Sequence, residues 1–410
     1  MPDYWDVQGV PTFALKVNGT RVESDYARLI EQVTYRSSHD TADSIGLTIK
    51  DPTLRLVDAK VFAEGNILDL WMGYGHQNFY MGRGIIWEPP QGAAPEGGDA
   101  TIRITAHSAA RWMMEQGQKK GGRRFGGYRD RRHDKEIVEA LAWDYGFKAQ
   151  AAATEQKRKA FKAKGKSDWE FVRRMAFLDG FRVWVEWIPE GWIVNNTEVS
   201  SGQWNLCFLP PGQQPKRPRF MRPKEYEFVW GPNISQRDNR LLDYSWSFAA
   251  GAGASEVEVL RFDRRTYNYA KYIAQLNETG KPTTFHGPDA TVLDTEKITT
   301  GSRVLFTTFG RQVHVIRDKP FQNEKEALEF AKSYLARIAT SFIHLQGRAP
   351  GLPDVRKYTH HTFRGLPNRI AGQYEFMDVE HTMSRTGGYT MRFSGRRAPE
   401  DTLGMSAFRV

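Results

Sequence analysis

Apolar and polar residues alternate in short runs over the first hundred positions. Phe13, Leu15 and Val17 alternate with Lys16 and Asn18, and Asn18-Gly19 is a hairpin turn signal. Ile45–Lys50 alternates cleanly and stops at Asp51-Pro52. Ile67–Met72, Phe79–Met81, Ile85–Trp87 and Thr101–Thr105 continue the series, with Gly73, Gly75, Gly82 and Gly84 reading as turns between them. Ser24–Glu31 reads as a short helix. Strands at this spacing predict a small barrel or sandwich from Pro11 to about His107.

The period changes at Lys166–Glu186. Ser167 is placed to cap a helix, with Glu170 three residues on to complete a capping box. Trp169, Val172, Ala176 and Phe177 share one face at helical spacing, and Gly180 suits the left-handed stop. From Phe181 to Trp187 the pattern returns to alternation, predicting a half-buried strand. A second helix is predicted with Asp134 as its cap, Ile137, Val138, Leu141, Ala142 and Tyr145 on its inner face and Gly146 as its stop. A third is predicted over Asn323–Leu345, where Leu328, Ala331, Leu335, Ile338, Phe342 and Leu345 step by three and four and Gly347 follows. Leu241–Phe248 and Tyr389–Phe393 alternate as strands, and 256–315 reads as a few strands and polar loops.

The chain has 410 residues, more than one typical core holds, so two to four domains are expected. A hydrophobic share of 40% is ample for globular cores. No run approaches the roughly 18 apolar residues of a membrane-spanning helix, and the start lacks the pattern of a secretory signal, so a soluble protein made in the cytosol is expected. The net charge of +10 is concentrated in two stretches. One is a glycine-rich loop bearing Lys119, Lys120, Arg123, Arg124, Arg129, Arg131 and Arg132, with Phe125 and Tyr128 interleaved; the other is Gln156–Lys166. Such a loop fits an acidic partner surface or the phosphates of a nucleic acid.

Chemistry is sparse. Cys207 is the single cysteine, which excludes an internal disulfide and cysteine-based zinc sites within one chain, and it lies in an apolar strand-like run. His360-His361 and His381 are the nearest approach to a metal cluster, but adjacent strand residues point to opposite faces. No metal site, nucleotide loop or cofactor fingerprint is expected. Ser167-Asp168 is better explained by capping than by nucleophilic catalysis, which needs a neighbouring base.

Ser167-Asp168-Trp169-Glu170-Phe171, followed by Arg173-Arg174 and Gly180-Phe181, resembles a segment of phage tail baseplate hub proteins. These are the late-control gene D family of contractile-tailed phages and the related core of VgrG, the type VI secretion spike protein. Pro11-Thr12-Phe13, Asn18-Gly19, Tyr35 to Asp43 and Leu47-Thr48-Ile49 resemble the start of that family's first tube-like domain. Gly365-Leu366-Pro367, Ala371–Tyr374, Val379-Glu380-His381 and Gly388–Phe393 resemble its last.

The resemblance implies an α+β, mostly β chain with two tube-like β-barrel domains and α/β inserts. It divides the chain into a first barrel (1–112), an α/β insert carrying the Ser167–Phe171 helix (113–205), a connector and start of the second barrel (206–248), a β-rich insert (249–320) and a completing helix and strands (321–410). It further implies a non-enzymatic virion protein, a homotrimeric hub between a sixfold tail tube and a threefold spike made by a separate chain. Tail tube protein and spike would be its partners, with baseplate wedge and tape measure proteins as further candidates. The competing readings are a basic nucleic-acid-binding β-barrel protein and a hub with an unrecognised cell-wall hydrolase site.

Overall fold

The computed structural model describes residues 10–397 with intervals left out, the longest being 116–123, 126–131, 216–222, 233–238, 249–255, 284–312, 318–326 and 336–342. The early alternation becomes six main strands: β1 (Pro11–Val17), β2 (Ile30–Ser37), β3 (Ser44–Lys50), β4 (Ile67–Tyr74), β5 (Gln77–Ile86) and β6 (Thr101–His107). The short helix Ser24–Leu29 leads into β2. Antiparallel pairing runs β1–β4–β5–β6–β3–β2. Every second residue faces one core, which includes Leu15, Val33, Leu47, Leu70 and Ile104. Each side chain buried this fully contributes about 1.5–3 kcal/mol.

Three of the glycines expected as turns lie inside strands instead, Gly73 in β4 and Gly82 and Gly84 in β5. Phe79–Met81 and Ile85–Trp87 were predicted as separate strands, yet β5 runs through Gly82 and Gly84 without a break. A Cβ at Gly82 would lie 3.0 Å from the Tyr35 ring, and one at Gly84 would lie 2.8 Å from the Ala106 Cβ. These glycines mark close approach of neighbouring chains.

The insert contains α1 (Asp134–Asp144), β7 (Lys148–Ala151), α2 (Asp168–Asp179), β8 (Arg182–Ile188) and β9 (Gln203–Leu209). β9 is central, parallel to β7 and antiparallel to β8. It crosses the boundary expected at 205/206. Ile137 and Leu141 from α1, and Trp169, Val172 and Met175 from α2, pack on Val183, Val185, Leu206 and Phe208. Asp134 is not the cap expected of it: His133 precedes the helix and donates its N–H to Glu136 Oε2 at 2.9 Å, while Asp134 is helical and buried.

The second half contains β10 (Glu227–Val229), β11 (Asp243–Phe248), β12 (Ile343–Pro350), β13 (His360–Arg364), β14 (Gly372–Ser384) and β15 (Gly388–Arg397). Its strands pair in the order β10–β13–β14–β15–β12–β11. Phe228, Phe363, Phe376 and Phe393 form the centre of the core, with the Phe376 and Phe393 rings stacked at 4.5 Å. Between β11 and β12, Glu256–Asp263, Asn268–Leu276 and Val313–Ile316 form a small sheet against helical Ala327, Leu328, Ala331 and Leu335.

The helix predicted over Asn323–Leu345 is therefore corrected at its end. Residues 323–326 and 336–342 lie outside the described ones, the described residues between 327 and 335 are helical, and Ile343–Leu345 begin β12. Leu345 pairs with Trp246 on one side and Gly395 on the other, so sheet pairing overrides the local three-four spacing. Gly347 is a mid-strand residue, not a helix stop.

The two halves are one sheet. Val379–Ser384 of β14 pairs with Ser37–Gln32 of β2, which joins them in a 15-stranded sheet. The mostly β class matches expectation, but no closed barrel forms among the described residues. In the second half the chain itself links the edges: Leu241 donates to the Val229 carbonyl at 3.0 Å and Leu242 to the Arg348 carbonyl at 2.8 Å.

Candidate functional site

The motif at the start of α2 is folded as its local chemistry dictates. Ser167 Oγ accepts from the Glu170 N–H at 3.0 Å, and Glu170 Oε2 accepts from the Ser167 N–H at 3.0 Å. The Glu170 carboxyl is held below its ordinary range, first by that backbone hydrogen bond. Asp168 is buried and accepts from the Tyr145 hydroxyl at 2.7 Å. Trp169 and Phe171 are buried among helix and sheet side chains, and Gly180 ends the helix at φ 71°. Among the described residues no histidine or other paired base is hydrogen-bonded to the Ser167 hydroxyl, which serves as a cap. Arg173, from the same helix, forms an ion pair with Asp40 of the first half.

The other face of the insert sheet meets both halves. Trp184, Cys207 and Leu209 pack on Tyr358 and Met377, while Trp187 and Ile188 pack on Trp71 and Tyr80. Arg83 lies 3.8 Å over the Trp187 ring and grips Asp69 with Nε and Nη2 at 2.8 and 2.7 Å. Tyr80 donates to the same carboxylate at 2.8 Å, and burial, followed by the Asp69 charge, pushes its hydroxyl well up. Lys357 is buried, donating to the Ser38 carbonyl at 2.9 Å and to Asp43. Arg356 reaches the Tyr80 carbonyl at 3.0 Å. These groups surround a cavity of about 70 Å³, room for a few waters. Arg83, Arg356 and Lys357 on its wall are all engaged with protein oxygens, so they act as fasteners between parts of the chain.

The three histidines do not converge. His361 is buried, accepting at Nδ1 from the Tyr226 N–H at 3.1 Å, which leaves Nε2 to donate to Thr359 Oγ1 at 2.7 Å. His381 Nε2 donates to the Val355 carbonyl at 3.0 Å, and its Nδ1 accepts from the Tyr389 hydroxyl at 3.0 Å. Both rings are neutral structural groups. Among the described residues no cluster of three metal-ligating side chains occurs.

Of the basic loop, Lys119, Lys120, Arg123, Arg129 and Arg131 lie outside the described residues. Arg124-Phe125 pairs with Ala160-Phe161, and Arg132-His133 pairs with Lys157-Arg158. The two basic stretches are thus aligned in register, which no local pattern could have revealed. The fastening ion pairs Lys357–Asp43 and Arg182–Glu375 were also missed, their partners lying 314 and 193 positions apart; Asp69 and Arg83, 14 apart, meet only through the register of β4 with β5.

No family description and no curated protein sequence matches the chain. Its fold is nevertheless shared. A tail protein from Neisseria meningitidis MC58 superposes with a TM-score of 0.59 at 13% identity, covering 95% of this chain and 97% of that one. The 43 kDa tail protein of prophage MuSo2 from Shewanella oneidensis gives 0.58 at 10% identity, covering 94% and 98%. A Francisella PdpA–VgrG complex gives 0.51 at 9% identity, covering 95% of this chain and 53% of the other. From the first strand to the last, this chain has the fold of phage tail proteins, a fold it shares with VgrG-related chains.

Proposed function

We propose that the protein is the structural baseplate hub of a phage tail or phage-like injection machine, joining a sixfold tail tube to a threefold central spike. The observation that supports this most is likeness to two tail proteins, one of them from a prophage, across nearly the whole length of both chains. The proposed organisation has two tube-like domains and two inserts divided as expected near 112, 205, 248 and 320, but with the first insert extended through β9 to Leu209 and the second through the helical residues to 335. Three copies would give six tube-like units for the tube and a threefold face for the spike. The hub acts without catalysis, in the virion tail after assembly in the host cytoplasm. Tail tube and spike proteins are its direct partners; wedge and tape measure proteins are further ones.

Light scattering on the purified chain tests the stoichiometry, and mixing with tube-protein rings tests the adaptor role. A trimer that caps such rings is expected. A stable monomer with no affinity for them would overturn the reading.

A further inference from the structure

β11 lies at one side of the sheet and pairs with β12 alone among the described residues. Its register sets Tyr244 opposite Gly347, Trp246 opposite Leu345 and Phe248 opposite Ile343, and both Leu345 and Ile343 are buried. The three rings therefore stand on the core side of the strand. That position does not bring burial, for Trp246 is 47% exposed and Phe248 43%. The Trp230 ring meets Tyr244 at 5.0 Å, and Tyr244 stacks on Trp246 at 5.6 Å. With Leu242 just before the strand, four of the ten large exposed apolar side chains among the described residues gather at this edge. Apolar residues scattered singly are ordinary on a surface, but rings clustered beside an edge strand mark a place that another segment covers.

The chain itself supplies a segment within reach. β15 ends at Arg397, one residue past the Arg396–His344 pair, and His344 lies opposite Ser247. The chain thus leaves the sheet two strands from β11, level with Phe248. Residues 398–410, APEDTLGMSAFRV, lie outside the described ones. Pro399 cannot continue the ladder. Ala398 to Thr402 span about 16 Å when extended, and the position beyond β11 is three strand spacings, about 14 Å, away. Leu403–Phe408 then matches the six residues of β11 in length, and on turning back it runs antiparallel to β11, because β11 and β15 point the same way. Leu403, Met405 and Ala407 alternate with Gly404 and Ser406, the pattern of a half-buried strand. The other terminal segment, 1–9, joins β1 at the far end of the pairing order. We propose that residues 403–408 add to β11 as an antiparallel edge strand, laying Leu403 and Met405 over Phe248 and Trp246 and covering this side of the sheet. The occupant is the chain's own terminal segment, and the proposal stands independently of the hub reading.

The test is backbone hydrogen exchange, read by mass spectrometry on peptides covering Asp243–Phe248. The full chain is compared with a chain ending at Arg397 and with full-length Met405→Glu. Both changes should speed exchange across Asp243–Phe248 at least about tenfold. Exchange across Gly372–Ser384 should stay as it was, showing that the sheet itself is intact. A synthetic 398–410 peptide added to the shortened chain should restore slow exchange, and the same peptide carrying Met405→Glu should not. Equal exchange in the full chain, the shortened chain and the Met405→Glu variant overturns the proposal. So does protection that survives both changes and rises with protein concentration, which assigns this edge to a second copy of the chain.

Discussion

Arg182 on β8 holds Glu375 on β14 through both carboxylate oxygens, Nε to Oε1 at 3.0 Å and Nη2 to Oε2 at 2.6 Å. Burial works against the ionised Glu375 carboxyl, but the Arg182 charge and hydrogen bonds prevail and hold it below its ordinary range. The pair fastens the insert to the second half. Arg182→Gln leaves a buried carboxylate without its partner, so a loss of about 3–5 kcal/mol in urea unfolding is expected. Adding Glu375→Gln should restore part of that loss. A double variant no better than the single one would mean the pair is not coupled.

Acid should loosen the second half through two buried histidines. Burial lowers His361 and His381 from 6.5 to about 3. Below pH 6.5 the unfolded chain takes up protons at these positions and the folded chain does not. Stability contributed by the neutral rings is therefore full above 6.5 and is lost as pH falls toward 3, at about 1.4 kcal/mol per unit for each ring. His381→Gln should remove one such increment from the slope between pH 6.5 and 4.5, measured by chemical denaturation. An unchanged slope in that window would refute the assignment.

Gly351 lies under an aromatic ring. A Cβ there would stand 2.3 Å from the Tyr389 ring, which also meets Tyr74 at 5.5 Å. The Tyr74 hydroxyl donates to the Gly351 carbonyl at 3.0 Å. Gly351→Ala should cost about 2–3 kcal/mol through forced displacement of Tyr389. Gly146→Ala, whose Cβ meets nothing within 4 Å at φ 70°, should cost only about 1 kcal/mol. Thermal melts of the two variants rank them; the reverse order would show that packing at Gly351 is slack.

Ser167→Ala removes the cap of α2 and should cost about 1 kcal/mol, while Ser167→Asp keeps an acceptor and should stay within a few tenths of the parent. Tryptophan fluorescence follows this unfolding, since Trp169, Trp184, Trp187 and Trp204 all lie in the insert. Equal loss in both variants would point to packing around Ser167 in place of capping.

The segment from Ser167 to Ile188 was legible in the sequence because cap, apolar face, left-handed glycine and strand alternation all act within a few residues. The alternation of β1, β3, β6 and β15 was legible for the same reason. Gly82, Gly84 and Gly347 were not: a glycine chosen for a neighbour's closeness looks the same as one chosen for a turn. Ile343–Leu345 completed a helical spacing by chance, and their strand state depends on β11 and β15. Lys357 with Asp43, and Arg182 with Glu375, could not be paired without the fold. Their sequence separation leaves no local trace, and each residue alone reads as an ordinary surface charge.

The pairing of β14 with β2 also sets a schedule. Ser38 and Asp378, hydrogen-bonded in the finished molecule, are 340 positions apart. At roughly 5–20 residues per second of synthesis, β2 waits about 17–70 s for its neighbour. During that time its outer edge is an unpaired row of backbone donors and acceptors, the kind of edge that recruits other chains. Arg36 on that strand, and the exposed Glu31 just before Gln32, place charge along the waiting edge. The seam that makes the two halves one body is thus sewn late, and the nascent chain is most open to wrong partners until it is.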